Sequence, residues 1–434
     1  MSNTVFRYED WKNACTFLKA QIEQIDKNKH FNSLELQYFK LLNVDYKEYI
    51  KTEEFYEEYI DNLLFYGMED QNFNHIYYIP KDRYSFRKKS FNSIVVRLIN
   101  NAIAIYIYNL SKNFVNDIID NSKSHIYSKY GGKIAYNSNE ISVKRENLWY
   151  KNEYKNFTKE ILKYVKETQN RIIIKLDIQD FYDTLNVEKF LMELYDCIKY
   201  SDKKDYEFDI NKIKEIVDFY KFIMKGNVGF PQSDNDVMTS FMASLYMKII
   251  DLDIISCLKK VNIKKLVDYN IVQYCDDTYL VLDFQDELKT EYLQEKINQL
   301  VQAICLNIRN KYNLKFNNKS KIFDIRKNED IILLRKSIKL NSQTEIDLQQ
   351  GERPQKVFND IVNSLEKIND LSLIDVDELE CISDLKKIYN DSVKEIFKKK
   401  ENIEIISDIL DKINLKKIYL IAKYIVTIIS YIPN

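Results

Sequence analysis

The sequence predicts an α+β fold, and three observations carry that reading. Two β-branched runs, RIIIKLDI (171–178) and IVQYCDDTYLVL (271–282), suit a pleated, half-buried surface and read as strands. Stretches with apolar residues three and four apart surround them and read as helices. The composition, 45% hydrophobic and 30% charged over 434 residues, is that of a soluble globular chain with a large core and two or three domains.

The elements follow in order. Residues 1–74 form a helical N-terminal region, as in WKNACTFLKAQIEQI. A basic knot, IPKDRYSFRKK (79–89), comes next, then a helical pattern from Ile94 to Ile119. A polar, Tyr-rich stretch with Gly131 and Gly132 reads as a hairpin or loop, and RIIIKLDI as a strand. Helical patterns return at 187–200 and 210–225. The turn GNVGFPQ (226–232) opens a long helix-like segment, VMTSFMASLYMKIIDLDI. A hairpin of IVQY and TYLVL follows, then a helix to Tyr312; NLKFNNKSKIFDI and IILLRKSIKL read as strands. The breaker cluster QQGERP (349–354) ends a middle region, 75–348, and opens a helical C-terminal domain, 349–434. The apolar run 418–432 is shorter than the roughly 20 residues of a spanning helix and contains Lys423, so it reads as a buried helix and no membrane anchor.

The net charge is −1, so any nucleic-acid contact must be a local patch rather than a global basic field. Six cysteines are scattered without a C-x-x-C pair, and no signal-peptide pattern is present; they read as reduced thiols in a cytoplasmic protein. The three histidines lie far apart, which argues against a His-rich zinc site or a Ser-His-Asp hydrolase.

The adjacent pair Asp276–Asp277 sits in the middle of a strand-like run. Neighbouring like charges there are costly unless a cation holds them. A second acidic cluster, LDIQDFYDTL, places Asp177 directly after the run IIIKL. One carboxylate from each of two strand ends suits Mg²⁺, which takes oxygen ligands and is held by one or two carboxylates plus substrate phosphates. Two such ions can stabilise both oxygens of an in-line phosphoryl displacement. The chain carries, in order, the basic knot, strand-Asp-x-x-x-Phe-Tyr, Gly-Phe-Pro-Gln-Ser before a helix, Tyr-Cys-Asp-Asp in a hairpin, and the Lys-containing NNKSK turn.

This ordered set resembles the reverse transcriptases, over roughly residues 75–340. The resemblance implies a right-hand fold with fingers and palm in the middle region, and a thumb-like or oligomerising C-terminal domain. It implies an RNA-directed DNA polymerase-like nucleotidyltransferase with two Mg²⁺ ions held by Asp177, Asp276, Asp277 and the Ile178 carbonyl. Asp180 and Asp183 read as turn or surface residues. Tyr182 falls on the steric-gate position that selects deoxynucleotides, and Gln232 on the glutamine that contacts the incoming nucleotide. Lys81, with Arg83 or Arg87, matches the fingers residues that grip the triphosphate. Lys319 matches the late-palm lysine, with Lys321 a near-equal candidate.

Departures from the family pattern narrow the choice. The usual Pro-Gln-Gly is Pro-Gln-Ser here, followed by Asp234 and Asp236, so a template phosphate would meet a side chain and two anions. The balanced charge also gives little grip on a long duplex. The chain looks like the bacterial abortive-infection and defence-associated group, whose members protect against phage. In that group some make DNA without a template, some prime on a protein hydroxyl, some are homo-oligomers, and others copy a companion non-coding RNA. The expected partners are dNTPs, a single-stranded DNA product, and further copies of the chain. The alternatives are synthesis templated by a non-coding RNA, retron-like or defence-associated, and a mobile-element enzyme.

Overall fold

The computed structural model describes residues 5–25, 33–61, 74–82, 85–121, 125–137, 140–166, 170–285, 290–317, 320–342, 354–370, 385, 388, 396–412, 424–425 and 428–429. Within them the chain is a mixed α+β protein. Helices α1 (Tyr8–Glu23), α2 (Leu34–Leu41), α3 (Val44–Tyr49) and α4 (Glu53–Phe55) precede strands β1 (Asn74–Asp82) and β2 (Ser85–Asn92). Next come α5 (Ile94–Asn121), β3 (Ile126–Lys129), β4 (Tyr136–Asn137), β5 (Glu140–Ile141), α6 (Lys151–Lys166) and β6 (Arg171–Asp177). Helices α7 (Phe181–Thr184), α8 (Val187–Cys197), α9 (Tyr200–Asp205), α10 (Ile210–Ile223) and α11 (Val237–Val261) lead into the hairpin β7 (Leu266–Tyr274) and β8 (Asp277–Phe284). The remainder is α12 (Thr290–Tyr312), β9 (Lys321–Asp324), α13 (Asn328–Ser342), α14 (Pro354–Asp370) and α15 (Lys400–Lys412).

The chain divides into two compact units. The first comprises 1–20, 43–74 and 92–340; the second comprises 21–42, 75–91 and 341–434. The basic knot thus groups with the C-terminal residues rather than with the segment that follows it.

The first unit is built on a five-stranded sheet of order β3-β7-β8-β6-β9. β3 runs parallel to β7, and the other neighbours are antiparallel. β6 and β8 are apolar and buried over most of their length, as strands covered on both faces must be. One face carries Ile173, Val272, Tyr279, Val281, Phe323 and Ile325. These pack with Phe157, Ile161 and Val165 of α6 and with Leu334 and Ile338 of α13. From the opposite face Ser128 reaches Ser244 of α11 at 3.1 Å. α11 is buried nearly all round for its first five turns, which marks a core helix rather than a surface one. α5 is also apolar; among the described residues it is the one helix long and apolar enough to cross a membrane, and 89% of that stretch is buried within the protein.

Two expectations need correction. IILLRKSIKL is not a strand: it lies within α13. Leu334 and Ile338, four apart, are buried on the sheet while Ile332 and Leu333 face outward, a helical division. The Tyr-rich stretch is not wholly loop, because its Ile126–Lys129 segment joins the sheet as β3. The most described core of the second unit gathers Val357, Phe358, Ile361 and Leu365 of α14 with Ile406 and Ile409 of α15 and with Tyr424 and Ile428. The breaker cluster lies outside the described residues up to Pro354, which opens α14 at the position where a missing N–H costs nothing.

Candidate active site

The site forms where β6 ends beside the β7–β8 turn. The register places Asp177 directly opposite Asp277. The Asp177 carbonyl accepts from Asn317 N–H at 2.9 Å, on the β9 side of the strand. Alternation along β6 then makes Asp177 and Asp277 the closer, non-hydrogen-bonded kind of cross-strand pair, with Cα atoms about 4.5 Å apart. Like charges at that spacing repel. The same alternation aims the Ile178 carbonyl toward β8, since its bridge with Phe316 is made by Asp177 O and Gln179 N–H instead. Asp276 sits on the turn, half-buried.

The tip is a two-residue loop, Cys275–Asp276, closed by the pair Tyr274 and Asp277. Cys275 has φ 51°, the left-handed value that glycine supplies most cheaply in such turns. Its side chain offsets that strain by burial against α11: Sγ lies 3.2 Å from Ser240 Oγ, which also accepts from Gly131 N–H at 2.8 Å. Burial pushes the thiol up to about 12, so it stays protonated. The hydroxyl of Tyr182 sits beside Ser240 and Cys275. Burial, then the neighbouring Cys275, raises its pKa well above the ordinary tyrosine value.

The Gly-Phe-Pro-Gln-Ser loop is fastened to the same place. Phe230 N–H donates to the Tyr182 carbonyl at 3.0 Å. Gly229, at φ +106°, has to be glycine, because a Cβ there would collide with that carbonyl oxygen. The structure therefore gathers Asp177, Ile178, Tyr182, the loop bearing half-buried Gln232, and Cys275–Asp277. Asp180 is exposed in a left-handed turn, as a surface residue should be.

Two residues expected to crowd a passing template are turned inward instead. Ser233 is buried and accepts a hydrogen bond from Asn92 at 2.8 Å. Asp236 caps α11 by accepting from Thr239 N–H at 3.0 Å. It also pairs with Arg97 Nη1 at 2.8 Å, with side-chain exposures of 4% and 1%. Its charge is met within the protein and presents no anion to a ligand.

Sequence reasoning passed over Lys175. Two residues before Asp177, it projects from the same face of β6. Its Nζ lies 3.2 Å from Asp277 Oδ1 and 5.6 Å from the centre of the Tyr279 ring. Burial works against its charge, but Asp277, Tyr279 and Asp177 outweigh burial and its pKa ends above the ordinary lysine value. The signal was available: a lysine inside IIIKL is as much a misfit as two aspartates inside a hairpin. Tyr154 of α6 also lies near; burial first, and then Asp277, raise its pKa.

Lys81 lies in β1 and Arg87 in β2, both in the second unit. Arg83 and Lys319 lie outside the described residues, and Lys321 is an exposed residue of β9. Among the described residues no three His, Cys, Asp or Glu side chains converge as a ready-made cation cage. Two facing carboxylates, a third on the turn and a backbone carbonyl are oxygen donors of the kind Mg²⁺ takes. No protein-family model matches the chain, and no curated protein matches it.

Proposed function

We propose that this chain is a Mg²⁺-dependent, DNA-synthesising nucleotidyltransferase of reverse-transcriptase type, acting on dNTPs in defence against phage. The observation that carries the reading is the Asp177–Asp277 pair at the ends of two central strands, with Tyr182 tied to the same turn. Asp177, Asp277, Asp276 and the Ile178 carbonyl would hold the metal, which when bound supplies charge stabilisation to an in-line phosphoryl displacement. The protein's part is to hold these oxygens in place. Buried strands fix Asp177 and Asp277, and the Cys275–Ser240 contact holds the turn that bears Asp276. The Tyr182 ring, anchored through its hydroxyl, limits what sugar fits beside them. Gln232 is a proposed nucleotide contact, and Lys319 a proposed phosphate contact.

Two modes of synthesis remain to be separated: untemplated extension primed on a protein hydroxyl, and copying of a companion RNA. The inward turn of Ser233 and the Arg97–Asp236 pair favour the second, because they remove most of the sequence argument for a blocked template path. The net charge of −1 still argues for a modest grip on duplex. Nuclease-treated protein should be incubated with each dNTP singly, and the products run on a denaturing gel with and without protease. Product that is covalently attached to protein and made without RNA supports priming. Strict dependence on an RNA whose sequence appears in the product supports copying. Asp276→Asn should lower incorporation about a thousandfold in either case; full activity in that variant would overturn the assignment.

A further inference from the structure

We infer that Lys175 is the built-in countercharge of the carboxylate pair: it holds Asp277 in place while no divalent ion is bound, and it weakens metal binding until a nucleotide brings more phosphate oxygens. The inference rests on reading Asp177 and Asp277 as the metal carboxylates, and it adds a positioning residue to them. A lysine only 7% exposed inside an otherwise apolar strand is expensive to keep charged unless an anion sits against it. Here the anion is Asp277 Oδ1, at 3.2 Å. The tether is short and fixed, because Lys175 and Asp177 are two apart on one strand and share a face. The Tyr279 ring, from the register position opposite Lys175, closes over the ammonium and keeps it on the carboxylate.

This geometry settles how two directly opposed aspartates coexist without metal. The same geometry has a cost for metal capture. A cation approaching Asp277 meets a fixed positive charge a few ångströms away, so without nucleotide the pair should bind Mg²⁺ or Mn²⁺ weakly. A metal that arrives with a triphosphate brings its own anionic oxygens and is less affected.

The test is metal binding without nucleotide, read by thermal melting of the full chain titrated with MnCl₂ and MgCl₂. Lys175→Met should melt lower than wild type in chelator and should be stabilised by Mn²⁺ at concentrations at least about tenfold below those needed by wild type. Lys175→Arg keeps the charge and should titrate like wild type, which keeps the inference testable if the methionine variant folds poorly. Adding Asp277→Asn to Lys175→Met should abolish the metal-induced shift. Equal Mn²⁺ responses in wild type and Lys175→Met, or an arginine variant that titrates tenfold more tightly than wild type, would overturn the role of Lys175. A shift that survives in the double variant would place the metal elsewhere and overturn the reading of the carboxylates themselves.

Discussion

Two ion pairs in the first unit use the same chemistry for opposite ends. Arg97–Asp236 and Lys175–Asp277 each set a cation less than a tenth exposed against an aspartate, at 2.8 and 3.2 Å. They differ in the acid. Asp236 is 4% exposed, caps a helix and is enclosed; Asp277 is 23% exposed and sits at a hairpin tip facing a second carboxylate. An enclosed pair gives up hydration on both sides and can only hold the fold. A pair open at its acidic end leaves the carboxylate within reach of solvent. Exposure of the carboxylate, rather than the presence of the pair, separates a structural charge from a chemical one.

The largest effect should come from breaking the enclosed pair. Arg97→Met leaves Asp236 buried and uncompensated, which costs about 3–5 kcal/mol, and Mg²⁺ should not restore it. Chemical denaturation with and without Mg²⁺ measures this. At the open pair, Asp277→Asn strands the Lys175 ammonium and should cost about 1–3 kcal/mol, whereas Asp276→Asn on the turn should leave stability within about 0.5 kcal/mol of wild type. Asp276 is therefore the cleaner catalytic test. If Arg97→Met proves harmless, the contrast between the two pairs fails.

Much of the site was legible because its residues break the pattern around them. Asp177 ends an apolar run, and Asp276–Asp277 interrupt a strand; both misfits were read as chemistry. Lys175 within IIIKL and Arg97 within IVVRLIN break their patterns equally, yet their partners lie 102 and 139 residues away, at Asp277 and Asp236. Nothing local reveals which charge meets which. β3 was missed for a related reason, since its place beside β7 depends on pairing across some 145 residues, as in Ser128 with Gln273. IILLRKSIKL was misread because a short apolar run fits strand and helix alike, and only burial on the sheet decides. The hairpin needed no distant information: its two strands and the polar tip lie side by side in sequence.

A smaller effect should sharpen the reading of the tip itself. The Tyr182 hydroxyl sits beside Cys275 and Ser240, so the ring proposed as a gate would also act as a strut. Tyr182→Ala should lower discrimination against ribonucleotides about 10- to 200-fold in single-nucleotide incorporation. Tyr182→Phe should preserve discrimination while losing at most about 1 kcal/mol of stability with the polar surroundings of its hydroxyl. An alanine variant that discriminates as well as wild type would leave Tyr182 as packing alone.

A last contrast concerns a buried carboxylate held mainly by hydrogen bonds, with the charge of Arg7 a lesser influence. Asp10 accepts from Arg7 N–H and from Asn109 Nδ2, each at 3.2 Å, and is 7% exposed. Burial raises its pKa to about 6, against an ordinary value of 3.8, and these hydrogen bonds only partly oppose the shift. The folded state thus binds this proton more tightly than the unfolded chain does. Its contribution to stability is fully present below about pH 4 and is lost as pH rises through about 6. Asp10→Asn keeps an acceptor without the charge. It should be more stable than wild type by about 1–2 kcal/mol at pH 8, after allowing for weaker hydrogen bonds, with the advantage disappearing near pH 4. Denaturation midpoints of both proteins across that range decide the matter. A constant difference with pH would mean that Asp10 is charged in the fold at all of them, and that burial of this carboxylate is tolerated on its hydrogen bonds and the Arg7 charge alone.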